Sequence, residues 1–454
     1  MRVVRLLAAA VLAAGALGIA QASAPAATSL RGVMYVGNNW AGTASIVDAK
    51  SLTVLKRGVN LIPDKDEELA RIQANPVNLA YYLAIQQGPG EGHDQYVDDM
   101  FATRDGRYLA VSRPSFGDVV WIDLGAALTP GSTTAQIIRR EQSMDGYRTD
   151  HMALSPDGRR LLASDSTAAQ VIEFSMVDET LPDGTVIKLG DRLRTFPSGE
   201  TPHESNYTSD GSEIYHASIG KVYTPGDDPL LDATKGDRWF QIVGNADFAV
   251  KRRWDMGKEL AESGHPNMSA AVRPMALGPN HLLYFQVSFF HGLVEFDTSL
   301  PDANTASNYA SGGIAEPATG RVTRVLNLPN LIPNVVREQY VNDSAHHGLA
   351  ISSDKKTLCV AGTMDDYVAL VDRASFAYKT YLTSPRTPPA GTDGKYTKPY
   401  WSTEAPYNKC WVSLSGSDAV AVFDFATKKE VAYLPVGDHP QRIRYGNIVA
   451  SYVA

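Results

Sequence analysis

The chain has 454 residues with a formal net charge of −8, 20% charged and 44% hydrophobic residues, the balance of ordinary globular material with ample core. Mild acidity with no basic cluster argues against a nucleic-acid partner. With only two cysteines, Cys359 and Cys410, the chain is neither a disulfide-rich miniature fold nor a cysteine-ligated metal protein.

Taken in order, Arg2 and Arg5 precede an uncharged run from Leu6 to Ala20, and small residues follow at Ala22, Ala24 and Ala26. This predicts a secretory signal over residues 1–24, cleaved after Ala22 or Ala24, with a retained membrane anchor as the competing reading. No later apolar run is long enough to span a bilayer, so the expectation is a soluble protein, secreted or periplasmic.

From residue 31 onward a unit recurs, read as strand, turn, strand, polar break, strand. Copies open at Asp98 (DDMFATRDGRYLAVSRPSFGDVVWIDL), Asp150 (DHMALSPDGRRLLASDSTAAQVIEFSM), His203 (HESNYTSDGSEIYHASIGKVY) and Arg273 (RPMALGPNHLLYFQVSFFHGLVEFD). Two more begin within SAHHGLAISSDKKTLCVAGTMDDYVALVD and at Tyr400. A further copy is split: MYVGNNWAGTASIVDAKSLTVL lacks a first strand, which HPQRIRYGNIVASYV at the other end of the chain supplies. About seven such units predict an all-β, seven-bladed β-propeller over residues 31–454, closed by strands from both termini and carrying loop and short helical insertions.

Insertions are expected near residues 64–97, 224–270 and 380–399. In the first, DKDEELARIQANPVNLAYYLAIQQ starts with acidic residues suited to a helix N-terminus and places Leu69 and Ile72 at helical spacing before Pro76 interrupts it. Gly226 to Lys235 reads as a polar loop, Met256 to Ser263 as a short helix, and Thr383 to Pro399 as a Pro-, Gly- and Thr-rich loop. Such excursions either shape a binding site on one face or merely decorate the array.

The segments MYVGNN with ASIVDAKSLTVL, and SDAVAVFDFATKKEVAYLPVGDHPQRI, resemble the YVTN-type repeats of YncE-like seven-bladed propellers, related to the quinoprotein amine dehydrogenase heavy-chain group. The nearest match to the YVTN signature is YVGN at Tyr35 to Asn38. The resemblance implies the fold and leaves the activity open, because propellers serve many roles.

In a propeller the first strand of each blade lines the central channel, so the strand openings form a ring at one mouth. That ring is predicted to contain Asp98, Asp99, Asp150, His151, His203, Glu204, Arg273, His346, His347, Tyr400, Trp401, His439 and Arg442. Five of the ten histidines fall there. Two chemistries suit this set. His151, His203 and His347, completed by Glu204 or His439, could ligate a divalent metal. Without a metal, His203 or His347 would be a general base, Asp150 or Glu204 would orient it or exchange protons with substrate, and Arg273 would hold an anionic group or a developing oxyanion. In layout this resembles virginiamycin-B-lyase-type propellers, where histidines near the hub serve a lyase reaction. The bland alternative is that the histidines hydrogen-bond neighbouring strands and channel water, and that Arg273 forms an ordinary salt bridge.

The preferred expectation is therefore small-molecule binding at the mouth with metal-dependent or acid–base catalysis, lyase- or oxidoreductase-like. Its rival is a non-catalytic scaffold recognising a ligand or a protein partner, with Tyr400, Trp401, Phe289 and Phe290 as contact aromatics. A redox role would need a partner or a bound quinone, since no CxxCH or iron–sulfur cysteine pattern is present. Neither a Gly-rich phosphate loop before a helix nor a GxSxG elbow occurs. Cys359 and Cys410 fall on second strands of adjacent blades and face each other. A sheet spacing of roughly 10 Å exceeds what a bridge spans and favours two buried free thiols over a disulfide.

Overall fold

The Asp-Gly turns of the repeat close by one chemistry. The hydroxyl of Thr103 donates to Asp105 (2.6 Å), Ser155 to Asp157 (2.6 Å), Thr208 to Asp210 (2.7 Å) and Ser352 to Asp354 (2.7 Å). Each carboxylate also accepts the backbone N–H two residues on, from Arg107, Arg159, Ser212 and Lys356. The side chains thus supply the turn's hydrogen bonds and leave the flanking strands in register. Gly106, Gly158 and Gly211 take the left-handed conformation these turns need, with φ of +68°, +68° and +71°. In the fourth turn Lys355 takes it instead, at φ +59°.

In a computed structural model describing residues 29–221, 234–303, 310–311, 313–382 and 397–454, these turns join strands into seven four-stranded antiparallel sheets. Blades 1 to 6 follow chain order. Their innermost strands are Met100–Ala102, Thr149–Leu154, Pro202–Tyr207, Val272–Leu277, Gly348–Ile351 and Pro399–Ala405. Blade 7 takes its innermost strand, Pro440–Val449, from the C-terminal end and its other three, Leu30–Asn38, Thr43–Asp48 and Val54–Asn60, from the N-terminal end. Pairing runs antiparallel from Leu30 opposite Val449 to Asn38 opposite Pro440. The innermost strands touch their neighbours all the way round, from blade 1 to blade 7 and back. The split unit of the sequence is therefore the closure of the ring.

Alternating residues of each blade pack against the next. Trp121 and Phe174 fill the gap between blades 1 and 2; Phe240, Trp254 and Phe296 fill that between blades 3 and 4. Between blades 5 and 6 the two cysteines are buried among Ala350, Ala361, Val368, Leu370, Val412 and Phe423. Cys359 and Cys410 are joined in a disulfide with Cα atoms 6.5 Å apart, so the free-thiol expectation is wrong. That separation lies within the range a bridge spans and below the general spacing of packed sheets, roughly 10 Å.

The excursion after blade 7's outer strand forms two helices, Lys65–Gln73 and Pro76–Gln87. Asn75 caps the second by accepting from the N–H groups of Val77 and Asn78, and Pro76 sits where its missing N–H costs nothing. Ile72 is buried, with Leu69 packed beside it. The short helix at Met256–Glu262 forms as expected, capped by Asp255. Residues 239–255, assigned from sequence to an insertion, are instead the third and fourth strands of blade 3. The long segment after Ser218 displaces them from the repeat spacing. The secretory signal, most of the Gly226–Lys235 loop and residues 383–396 lie outside the described residues.

Candidate functional site

What turns the strand openings toward the channel is a recurring defect in the sheets. The innermost strands of blades 2, 3, 4, 6 and 7 each carry one extra residue relative to the strand they pair with, at Asp150–His151, His203–Glu204, Arg273–Pro274, Tyr400–Trp401 and Gln441–Arg442. In blade 1, Asp98 and Asp99 share Ser112 in the same manner. A bulge breaks the strict in–out alternation and bends the strand, so it re-aims consecutive side chains. Pro274, without an N–H, is at home in one.

These bulges line a cavity of about 240 Å³ at the mouth, whose walls include Asp98, Arg148, Asp150, His151, His203, Arg273, His347, Tyr400 and Arg442. Candidate ligand atoms of His151, His203 and His347 lie within 4.8 Å of one another. The rings of His151 and His203 are 3.9 Å apart, and that of His203 is 5.7 Å from His347. All three are buried, and their Nδ1 atoms make no hydrogen bond among the described residues. Burial drives the pKa of each well below the usual imidazole value, and the Arg442 charge adds to the effect, so all three are neutral with lone pairs free for a metal or a proton.

Asp98 and Asp150 form a second convergent group with His151. Burial lifts the Asp98 carboxyl to about 7 against the pull of Arg442. Asp150 is held by Arg148 and by Ser166 Oγ at 3.1 Å. Arg273 donates to Ser288 Oγ at 2.8 Å and meets Asp343 at 3.7 Å, so the ordinary ion contact exists and the side chain still borders the cavity. Tyr400 stacks on His347 at 4.3 Å, and Trp401 lies under the Arg442 guanidinium at 4.0 Å.

Four expected members, Asp99, Glu204, His439 and His346, are placed elsewhere. Glu204 points between blades: it accepts from Asn206 at 2.9 Å and from the Met275 N–H of blade 4 at 3.2 Å, the counterpart of Asp99 accepting from Met152 across blades 1 and 2. His439 stacks on Trp40, which is sandwiched at 3.7 Å between His439 and His93, and it does not join the histidine trio. His346 belongs to a separate network in which Asp365 accepts from His291 (2.6 Å), His346 (3.0 Å) and the Leu331 N–H (2.7 Å). Burial pushes the Asp365 carboxyl up, but the two histidines outweigh it and hold it at about 2. Phe289 and Phe290 pack against Tyr340 and the blade core rather than the cavity.

The excursions cover this mouth. Gln87, Gly88, Pro89 and Gln95 come from the first, and Tyr340, Asn342 and Asp343 from the connection between blades 4 and 5. Asn342 and Asp343 both hold left-handed φ, +48° and +56°, and Asn342 donates to Tyr400 Oη at 2.9 Å. Lys398 reaches Glu91 at 3.0 Å, tying the start of blade 6 to the helical excursion. Arg148, Tyr340, Asn342 and Asp343 were not anticipated from sequence. Arg148 stands two residues before a strand opening, and the other three lie in a connection outside the repeat. No helix among the described residues is long and apolar enough to cross a membrane.

No family of known proteins matches the chain, and no curated protein does. Among solved structures it is similar to a periplasmic gluconolactonase from Pseudomonas aeruginosa, at 14% identity over 92% of this chain and 99% of that one with a TM-score of 0.48. It is also similar to virginiamycin B lyase from Staphylococcus aureus, at 10% identity over 74% and 83% with a TM-score of 0.45. A third is hydrazine synthase from Kuenenia stuttgartiensis, at 12% identity over 76% and 88% with a TM-score of 0.45.

Proposed function

We propose that this chain binds a small molecule at the hub mouth and acts on it with a divalent metal held by His151, His203 and His347. The carrying observation is that three buried, neutral imidazoles from three blades converge within 4.8 Å while their Nδ1 atoms go without hydrogen bonds among the described residues. Buried polar atoms are seldom left so, and three histidines leave a fourth metal position open for water or substrate. A metal there would polarise a substrate oxygen or activate a bound water, with Asp98 and Asp150 in place to exchange the proton, giving lyase-like or hydrolytic chemistry. A cavity of about 240 Å³ is below the range of roughly 300–1,000 Å³ typical of drug-sized ligands, which suits a small metabolite. The disulfide supports placement in an oxidising compartment, secreted or periplasmic, in keeping with the signal-like N-terminal residues. The likeness to YncE-like propellers is carried by the sequence repeats alone.

Calorimetric titration with Zn²⁺, Mn²⁺ and Ni²⁺, with metal analysis of the purified protein, tests this. One equivalent per chain is expected for at least one ion, lost in the His203→Ala, His347→Ala double variant. If no ion binds, or the double variant binds as before, the metal reading fails. The metal-free alternative, with His203 or His347 as base beside Asp150 and Arg273, then takes its place.

A further inference from the structure

Among the cations bordering the cavity, Arg442 stands out by the donors it leaves unused among the described residues. Arg442 is 1% exposed, borders the cavity and has its guanidinium over the Trp401 ring, 4.0 Å from the centroid. Its only ion contact among the described residues is Asp98 at 3.5 Å, without a hydrogen bond, and its Nε and Nη1 donate to nothing among those residues. Two other deeply placed arginines differ. Arg113 is gripped by Asp118 and Asp64, and Arg444 makes two bonds to Asp99 at 2.8 and 2.6 Å. A guanidinium offers five donors in a fixed fork, and burying it with most of them idle is costly. With Trp401 on one side and the cavity beside it, the idle Nε and Nη1 donors suit a two-point contact with an oxyanion.

We infer that Arg442 is the docking cation for an oxyanion, a carboxylate or a phosphoryl group, so that the ligand of this cavity is a small organic anion. The inference rests on the cavity being the ligand site and not on the metal. A neutral carbonyl would engage one donor and leave the charge unmatched. An oxyanion takes two donors and the charge together, and lies beside the histidine trio whose pKa values Arg442 already influences.

The experiment is calorimetric titration of the full chain with acetate, malonate and inorganic phosphate at constant ionic strength, with acetamide as the neutral match to acetate. At least one oxyanion is expected to saturate at one per chain and acetamide not at all; preference for the carboxylates or for phosphate identifies the group. Arg442→Gln should weaken binding tenfold or more while leaving metal uptake intact. The His203→Ala, His347→Ala variant should lose metal and keep the oxyanion, which separates failure of one idea from failure of the other. Should Arg442→Gln not fold by circular dichroism, the acetate against acetamide comparison on the unaltered protein decides. No saturable oxyanion binding, equal binding of acetamide, or an unaffected, folded Arg442→Gln would overturn the inference.

Discussion

His216 shows at a single residue what burial does to the acid response of this protein. It is fully enclosed between Ser198 Oγ at 2.7 Å and Ser205 Oγ at 2.9 Å, and burial takes its pKa down to about 3. Below about pH 6.5 the unfolded chain takes up a proton that the folded chain refuses. The stability due to neutral His216 is therefore complete above that pH and declines as the pH falls toward 3. Between pH 7.5 and 5.5 the loss is about 1.4 kcal/mol. Urea unfolding of His216→Gln at those two pH values should show a pH dependence smaller by that amount; an unchanged difference would count against a neutral buried imidazole. His151, His203 and His347 act with the same sign, whereas Asp98 and Glu204, both raised to about 7 chiefly by burial, act with the opposite one, losing stability as the pH rises from about 4. At this scale repeat spacing picked out His151, His203 and His347, which meet at the mouth, together with His346 and His439, which lie in other contacts. It did not separate His203 from Glu204, adjacent residues of which one enters the cavity and the other ties blade 3 to blade 4. That choice is made by the bulge, and a bulge leaves no fixed mark in a single sequence.

At the level of elements, the turns are the most legible part of the chain. TRDG, SPDG, TSDG and SSDK each supply a hydroxyl and a carboxylate at fixed offsets, and each forms the same closed turn. Removing one carboxylate strips a side-chain hydrogen bond and a backbone acceptor together. Asp157→Ala should therefore lower the unfolding free energy by about 1–2 kcal/mol without shifting the sheet register; a urea midpoint equal to that of the unaltered protein would show the turn to be held by its backbone alone. The two helices before blade 1 were also readable, since Pro76 and the acidic first turn mark where one ends and the next begins. The third strand of blade 3 was not, because the long loop before it destroys the spacing on which repeat detection depends. The connection bearing Tyr340, Asn342 and Asp343 was unreadable for a different reason. Its two consecutive left-handed residues, Asn342 and Asp343, belong to no repeat, so nothing in the blade pattern marks their approach to Tyr400.

Over the whole molecule, ring closure followed from the sequence because a unit missing its first strand at one end of the chain was matched by a spare strand at the other. The disulfide did not, since repeat spacing places the two cysteines on facing strands but does not fix how closely those strands approach, here 6.5 Å between the Cα atoms. The bridge spans 51 residues of chain, a loop whose closure restricts the unfolded ensemble by about 3–4 kcal/mol in the chain-entropy account. Cys359→Ala with Cys410→Ala should reduce stability by up to that amount and leave the circular-dichroism spectrum unchanged; no loss in urea unfolding would mean that inter-blade packing already holds the two sheets.

The strand that completes blade 7 is also the one that brings Arg442 to the hub. A nascent or truncated chain lacking those final residues is thus both an open ring and a receptor without its cation. Any anion that seats on Arg442 must then favour the shut form over the open one, so the ligand would serve as a clasp, and proteolytic resistance of the C-terminal strand would rise with ligand concentration.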